Sequence, residues 1–114
     1  MIGASSRLGI ATVAGPGFAR LELSGSLDIA NAGELIQELV VAERERPALL
    51  VLDLRDLTLV DAAGLRVFLD AARRAQLHER RFALTGLDEE TRRVLRLTAL
   101  DQAIELLPDV DQTR

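Results

Sequence analysis

Four aspartates, Asp28, Asp53, Asp56 and Asp61, are the side chains whose type and spacing could do chemistry. Gathered at one end of a sheet, they would suit a divalent cation or a general acid/base pair. Each also has a simpler place as a helix cap or a loop residue, and that is the reading adopted. His78 is the single histidine and there is no cysteine, so there is no disulfide or thiolate and no zinc set, and a Ser/His/Asp relay would have His78 alone to use. A surface or structural role near a helix end suits His78. Gly15, Gly17 and Gly25 follow neither a dinucleotide fingerprint nor a Walker loop and read as turn residues. No metal, no cofactor and no enzymatic activity are expected.

The elements that position these residues meet at one junction. An apolar run, 48–54, leads through 55–60 into Asp61-Ala62-Ala63-Gly64 and then a helix. A strand that feeds a helix through a short turn leaves the first amides of the helix unpaired, a place to hold an anion or meet a partner. The residues there are small. They admit another surface close to the backbone, yet Ala62 and Ala63 supply no nucleophile, ligand or proton.

The rest of the chain reads as alternating elements. Runs 8–14 and 18–25 flank Gly15-Pro16-Gly17 and form an antiparallel hairpin. In the second run Ala19, Leu21 and Leu23 alternate with Arg20, Glu22 and Ser24, so one face is buried and the other wet. A first helix starts near Asn31, with Glu34 at capping-box spacing and an apolar stripe of Ala32, Leu35, Ile36, Leu39 and Val40; residues 44–47 end it. Run 48–54 is a central strand. A second helix spans 62–79, with Asp61 as N-cap, Leu65, Phe68, Leu69 and Ala72 inward, and Arg66, Asp70, Arg73 and Arg74 outward. A strand over 81–87, a third helix from 88–90 through 97, and a short element at 102–107 stopped by Pro108 complete the order. This alternation predicts an α/β fold with a mostly parallel mixed sheet of four to five strands and helices mainly on one face.

The 114 residues fit one domain, 1–114, with 1–7 and 109–114 as frayed tails. Hydrophobic residues make up 48% of the chain and aromatics 3%, which requires an aliphatic core. A net charge of −4 repels phosphate backbones, and the arginines at 73–74, 80–81 and 92–96 lack interleaved aromatics. They read as solvated helix surface, so no nucleic-acid partner is expected. There is no secretion signal in 1–9 and no apolar run of membrane-spanning length, so the expected address is the cytoplasm, without membrane insertion.

Two stretches together resemble the STAS domain family of bacterial anti-sigma factor antagonists. Gly25-Ser26-Leu27-Asp28-Ile29-Ala30-Asn31-Ala32 resembles the segment before the family's first helix. Residues 50–69, with Asp61-Ala62-Ala63-Gly64-Leu65 at their centre, resemble the signature region. A third stretch, 93–100, is similar to the family's third helix and the turn after it. The resemblance implies a protein that binds an anti-sigma factor which is also a serine kinase, releases the sigma factor, and is switched off by phosphorylation of serine in Asp-Ser-x-Gly. Ala62 stands at that serine and carries no hydroxyl, so no switch is expected there. The implied docking surface is Asp28, Asp61, Ala62, Ala63, Gly64 and Leu65. Thr58 is an alternative acceptor, although an unmodified strand-end residue explains it more simply. The family also supplies scaffold subunits of stress-signalling assemblies and accessory subunits of lipid-transport ABC ATPases, the alternative reading here. Nucleotide binding would rest on the acidic residues and on family hints alone.

Overall fold

The computed structural model describes residues 7–108, and it builds one five-stranded sheet from the expected alternation. The elements are β1 (Leu8–Gly15), β2 (Phe18–Leu27), α1 (Ala32–Arg44), β3 (Leu49–Val60), α2 (Ala62–Leu77), β4 (Arg81–Thr85), α3 (Glu89–Leu97), a 3₁₀ turn (Leu100–Gln102) and β5 (Glu105–Leu106). Spatial order follows chain order. β1 and β2 pair antiparallel, whereas β2–β3, β3–β4 and β4–β5 pair parallel. The hairpin turns at Pro16-Gly17, where Pro16 restricts its own φ and Gly17 takes φ +70°.

Alternation along β2 sorts the two faces. Ala19, Leu21 and Leu23 join Leu50, Leu52, Leu54, Phe82 and Leu84 in the core, against Leu35 and Leu39 of α1, Val67 and Phe68 of α2, and Leu95 of α3. Each fully buried leucine contributes on the order of 1.5–3 kcal/mol by leaving water. On the opposite face small residues lie under long polar arms. Arg20, Val51, Ala83 and Glu105 share one row, and Val51 and Ala83 are buried beside the Arg20–Glu22 and Arg81–Glu105 ion pairs. Asp53 on that face is buried too, and its carboxylate takes both the backbone N–H (3.1 Å) and the guanidinium (2.6 Å) of Arg55.

Several expectations need correction. β3 does not stop at Leu54; beyond a register shift, residues Asp56, Leu57, Leu59 and Val60 pair with Ser24, Gly25, Ser26 and Leu27. The exposed Arg55 and Asp56 conceal this continuation, because they break the apolar run without breaking the ladder. Asp61 alone therefore separates β3 from α2. The stripe of α1 is Ala32, Leu35, Leu39 and Ala42; Ile36 and Val40 are exposed, the core contact being narrower than the apolar arc. In α2 the buried positions are Gly64, Val67, Phe68, Ala71 and Ala72, with Leu65 and Leu69 only half-buried. Arg74, read as outward, instead makes a two-pronged ion pair with Glu43 of α1 at 2.9–3.0 Å, which holds its pKa above the ordinary arginine value. The helix ends at Leu77, and β4 ends at Thr85, before Gly86 at φ +74°. The final element is two pieces, a 3₁₀ turn and a two-residue strand. The expected fraying of 1–6 and 109–114 lies outside the described residues. Arg7 is held, its carbonyl accepting the Ser26 N–H at 2.9 Å.

Candidate partner-docking site at the start of the second helix

Asp61 joins three elements through its backbone and its carboxylate. Its N–H donates to the Leu27 carbonyl at the end of β2, 3.1 Å away. One carboxylate oxygen accepts from the Ala63 and Gly64 amides at 2.9 and 3.1 Å. The other accepts from Ile29 N–H at 3.1 Å, which ties the β2–α1 loop to the start of α2. The N-cap is thus as expected, with an addition. The amides that could have held an anion are already occupied by a carboxylate, so the junction is better suited to contact than to anion capture.

The β2–α1 loop is held from inside. Asn31, expected to cap α1 together with Glu34, makes no side-chain cap bond. It is 2% exposed; its amide nitrogen donates to the Ser26 carbonyl (2.9 Å) and its oxygen accepts Asp28 N–H (2.9 Å). The loop's own polar groups outcompete the helix amides for this side chain. Asp28 accepts Ala30 N–H at 3.0 Å, and its carbonyl accepts the amides of Asn31 and Ala32. Asp28 and Asp61 therefore lie on adjoining segments, stitched at Ile29.

Ala62 is exposed, Ala63 and Leu65 half-buried, and Gly64 buried. A Cβ on Gly64 would meet Leu27 at 2.8 Å and Val60 at 2.9 Å, so the glycine lets α2 close down on the ends of β2 and β3. Thr58 donates to the Gly25 carbonyl at 2.9 Å, a bridge between β3 and β2. Two residues escaped the sequence reading, Ile29 at 80% exposure and Leu59 at 58%. Ile29 follows the first motif's aspartate and Leu59 stands two before Asp61, and an apolar residue at an exposed junction was the available signal. Ile29 lies in the loop bonded to the Asp61 carboxylate, and Leu59 lies near the end of β3.

The four aspartates do not assemble. Asp53 is engaged with Arg55 and Asp61 with the helix amides, and among the described residues no three His, Cys, Asp or Glu side chains come together to hold a metal. No described helix is long and apolar enough to cross a membrane.

The sequence profile of the STAS domain matches residues 10–113, nearly the full length. The chain belongs to the STAS domain family. Among solved STAS-like structures, an anti-sigma factor antagonist from Mycobacterium paratuberculosis superposes with a TM-score of 0.83 at 24% identity, covering 98% of this chain and 94% of that one. The Bacillus cell fate determinant SpoIIAA in its phosphorylated form gives 0.71 at 15% identity, over 93% of this chain and 100% of that one. A Ser-to-Glu variant of RsbS from Moorella thermoacetica gives 0.71 at 24% identity, over 91% and 88%. Each of these is a likeness of fold. The STAS fold of this chain presents the start of α2 and the β2–α1 loop side by side, on the surface built by Asp61.

Proposed function

We propose that this STAS domain is a non-enzymatic docking module of the anti-sigma factor antagonist type, which binds an anti-sigma factor of the serine-kinase class through the start of α2. The observation that carries the reading is the Asp61 junction: a carboxylate fixed by three amides ties the loop that carries exposed Ile29 to the helix start that carries small, exposed Ala62. A partner can approach the backbone closely there.

Position 62 is where the family motif places its serine. A phosphate at that point would bring a charge of about −2 next to the Asp61 carboxylate and into a docked interface. Alanine cannot accept it, and Thr58, whose hydroxyl donates to the Gly25 carbonyl, is read as an unmodified strand residue. The module is accordingly constitutive at this site, and its regulation comes from elsewhere. A cytoplasmic setting fits such a partner.

The test is a pull-down from native lysate with wild type and Ala62→Asp baits, read by mass spectrometry. The wild type should recover an ATPase-fold anti-sigma factor that the variant loses. Equal recovery by both baits would place the interface on another face; recovery of scaffold subunits or a transporter ATPase would replace the antagonist reading.

A further inference from the structure

At the end of the fold remote from Asp61, the C-terminal ends of α1 and α2 meet the starts of β3 and β4. The 12 residues of β3 separate the two ends, about 40 Å of extended chain. Arg44, Arg46, Arg74, His78 and Arg80 rim a hollow there. A crevice of about 30 Å³ opens beside it, lined in part by the same Glu43, Arg74, His78 and Arg80, with buried Leu50, Ala71 and Phe82 closing it. Glu43, the acid within the rim, is engaged by Arg74. Glu105 is likewise engaged by the neighbouring Arg81. Arg44, Arg46 and Arg80 form no ion pair among the described residues. In a chain of net charge −4 this is a local excess of cations, although exposed Glu45 and Glu79, outside the lining of the hollow, stand next to them in sequence.

The backbone reinforces the point. Arg46 (φ 54°) and Glu79 (φ 57°) are the residues just past the C-caps of α1 and α2, both left-handed, a position that favours glycine. Glu79 and Arg80 complete a Schellman closure, with Glu79 N–H donating to the Gln76 carbonyl and Arg80 N–H to that of Ala75. Arg46 is an arginine held at a left-handed position that glycine would adopt without strain, a cost that helix termination alone does not require.

We infer that this end is a second docking surface, which takes an acidic protein segment whose carboxylates pair with Arg44, Arg46 and Arg80. Guanidinium forks suit carboxylates. The inference is independent of the Ala62 face.

A fluorescein-labelled peptide of alternating Glu and Ala, titrated into the full chain by anisotropy, tests it. Saturable one-to-one binding that weakens with added salt is expected. Arg44→Glu/Arg80→Glu should weaken it by at least about tenfold, and Arg46→Gly, which relieves the cap and keeps the fold, should weaken it as well. Arg93→Glu/Arg96→Glu on α3 changes net charge equally and should leave binding within about twofold. Absence of saturable binding, equal loss in the α3 control, or displacement by pyrophosphate as effective as by unlabelled peptide would overturn the inference.

Discussion

Replacing Gly64 with alanine sets two opposing effects against each other at the heart of the site. In an exposed helix interior the change would stabilise by up to about 1 kcal/mol. Here the new methyl would lie 2.8 Å from Leu27 Cγ and Cδ2 and 2.9 Å from Val60 Cγ1, against about 3.5–4.0 Å for a relaxed carbon contact. Leu27 is fully buried, and its carbonyl accepts the Asp61 N–H, so it has little room to retreat by the required roughly 0.7 Å. Overpacking of this kind costs about 1–3 kcal/mol and outweighs the propensity gain. Gly64→Ala is therefore expected to destabilise by about 1–2 kcal/mol, a fall in Tm of about 4–8 °C for a domain of this size. Gly33 in α1 is the internal control: it is exposed and a Cβ there meets nothing within 4 Å, so Gly33→Ala should stabilise by about 0.5–1 kcal/mol. Urea unfolding of both variants measures the two signs. Equal stabilisation by both would refute the close-packing argument.

Asp61→Ala removes the acceptor of three amides and should cost about 1–2 kcal/mol, with amide exchange of Ile29, Ala63 and Gly64 accelerating together; acceleration at the helix amides alone would deny the tie to the loop. Asn31→Ala leaves the Ser26 carbonyl and the Asp28 amide without their partner and should cost about 2 kcal/mol by urea unfolding. The Asp88 carboxyl is held below the usual carboxylate range, first by the Thr91 backbone N–H and then by its hydroxyl. Since its folded pKa is depressed, its contribution is complete above the ordinary aspartate value and is lost as pH falls through the lower folded value. Asp88→Asn should thus be less stable than wild type at neutral pH, with the difference closing in acid; a pH-independent difference in unfolding free energy would contradict this.

The core was legible where chemistry and period agreed. Strict alternation in β2 and the Asp61 cap followed from side-chain direction and from the affinity of a carboxylate for helix amides. The far half of β3 was not legible, because its ladder is made by backbone and its exposed Arg55 and Asp56 look like a loop. Asn31 misled for a related reason: its spacing to Glu34 fits a capping box, but the competing partners, Ser26 and Asp28, are presented by a loop whose shape only the folded chain defines. At the site, Asp28, Asp61 and Gly64 were visible as motif residues. Ile29 and Leu59 were not, since exposure depends on which neighbours the sheet brings alongside. Arg74 pairs with Glu43 across 31 positions of chain, a contact no local pattern encodes.

The central claim is a docking surface that phosphorylation cannot switch at position 62. The most direct measurement is calorimetric binding of the wild-type chain and of Ala62→Ser to a purified anti-sigma factor kinase, before and after incubation with ATP, with intact-mass analysis of both. The wild type is expected to bind equally before and after and to gain no phosphate, while Ala62→Ser gains a phosphate and loses affinity. Phosphorylation of the wild-type chain with loss of binding, or no binding by either protein, would contradict the account.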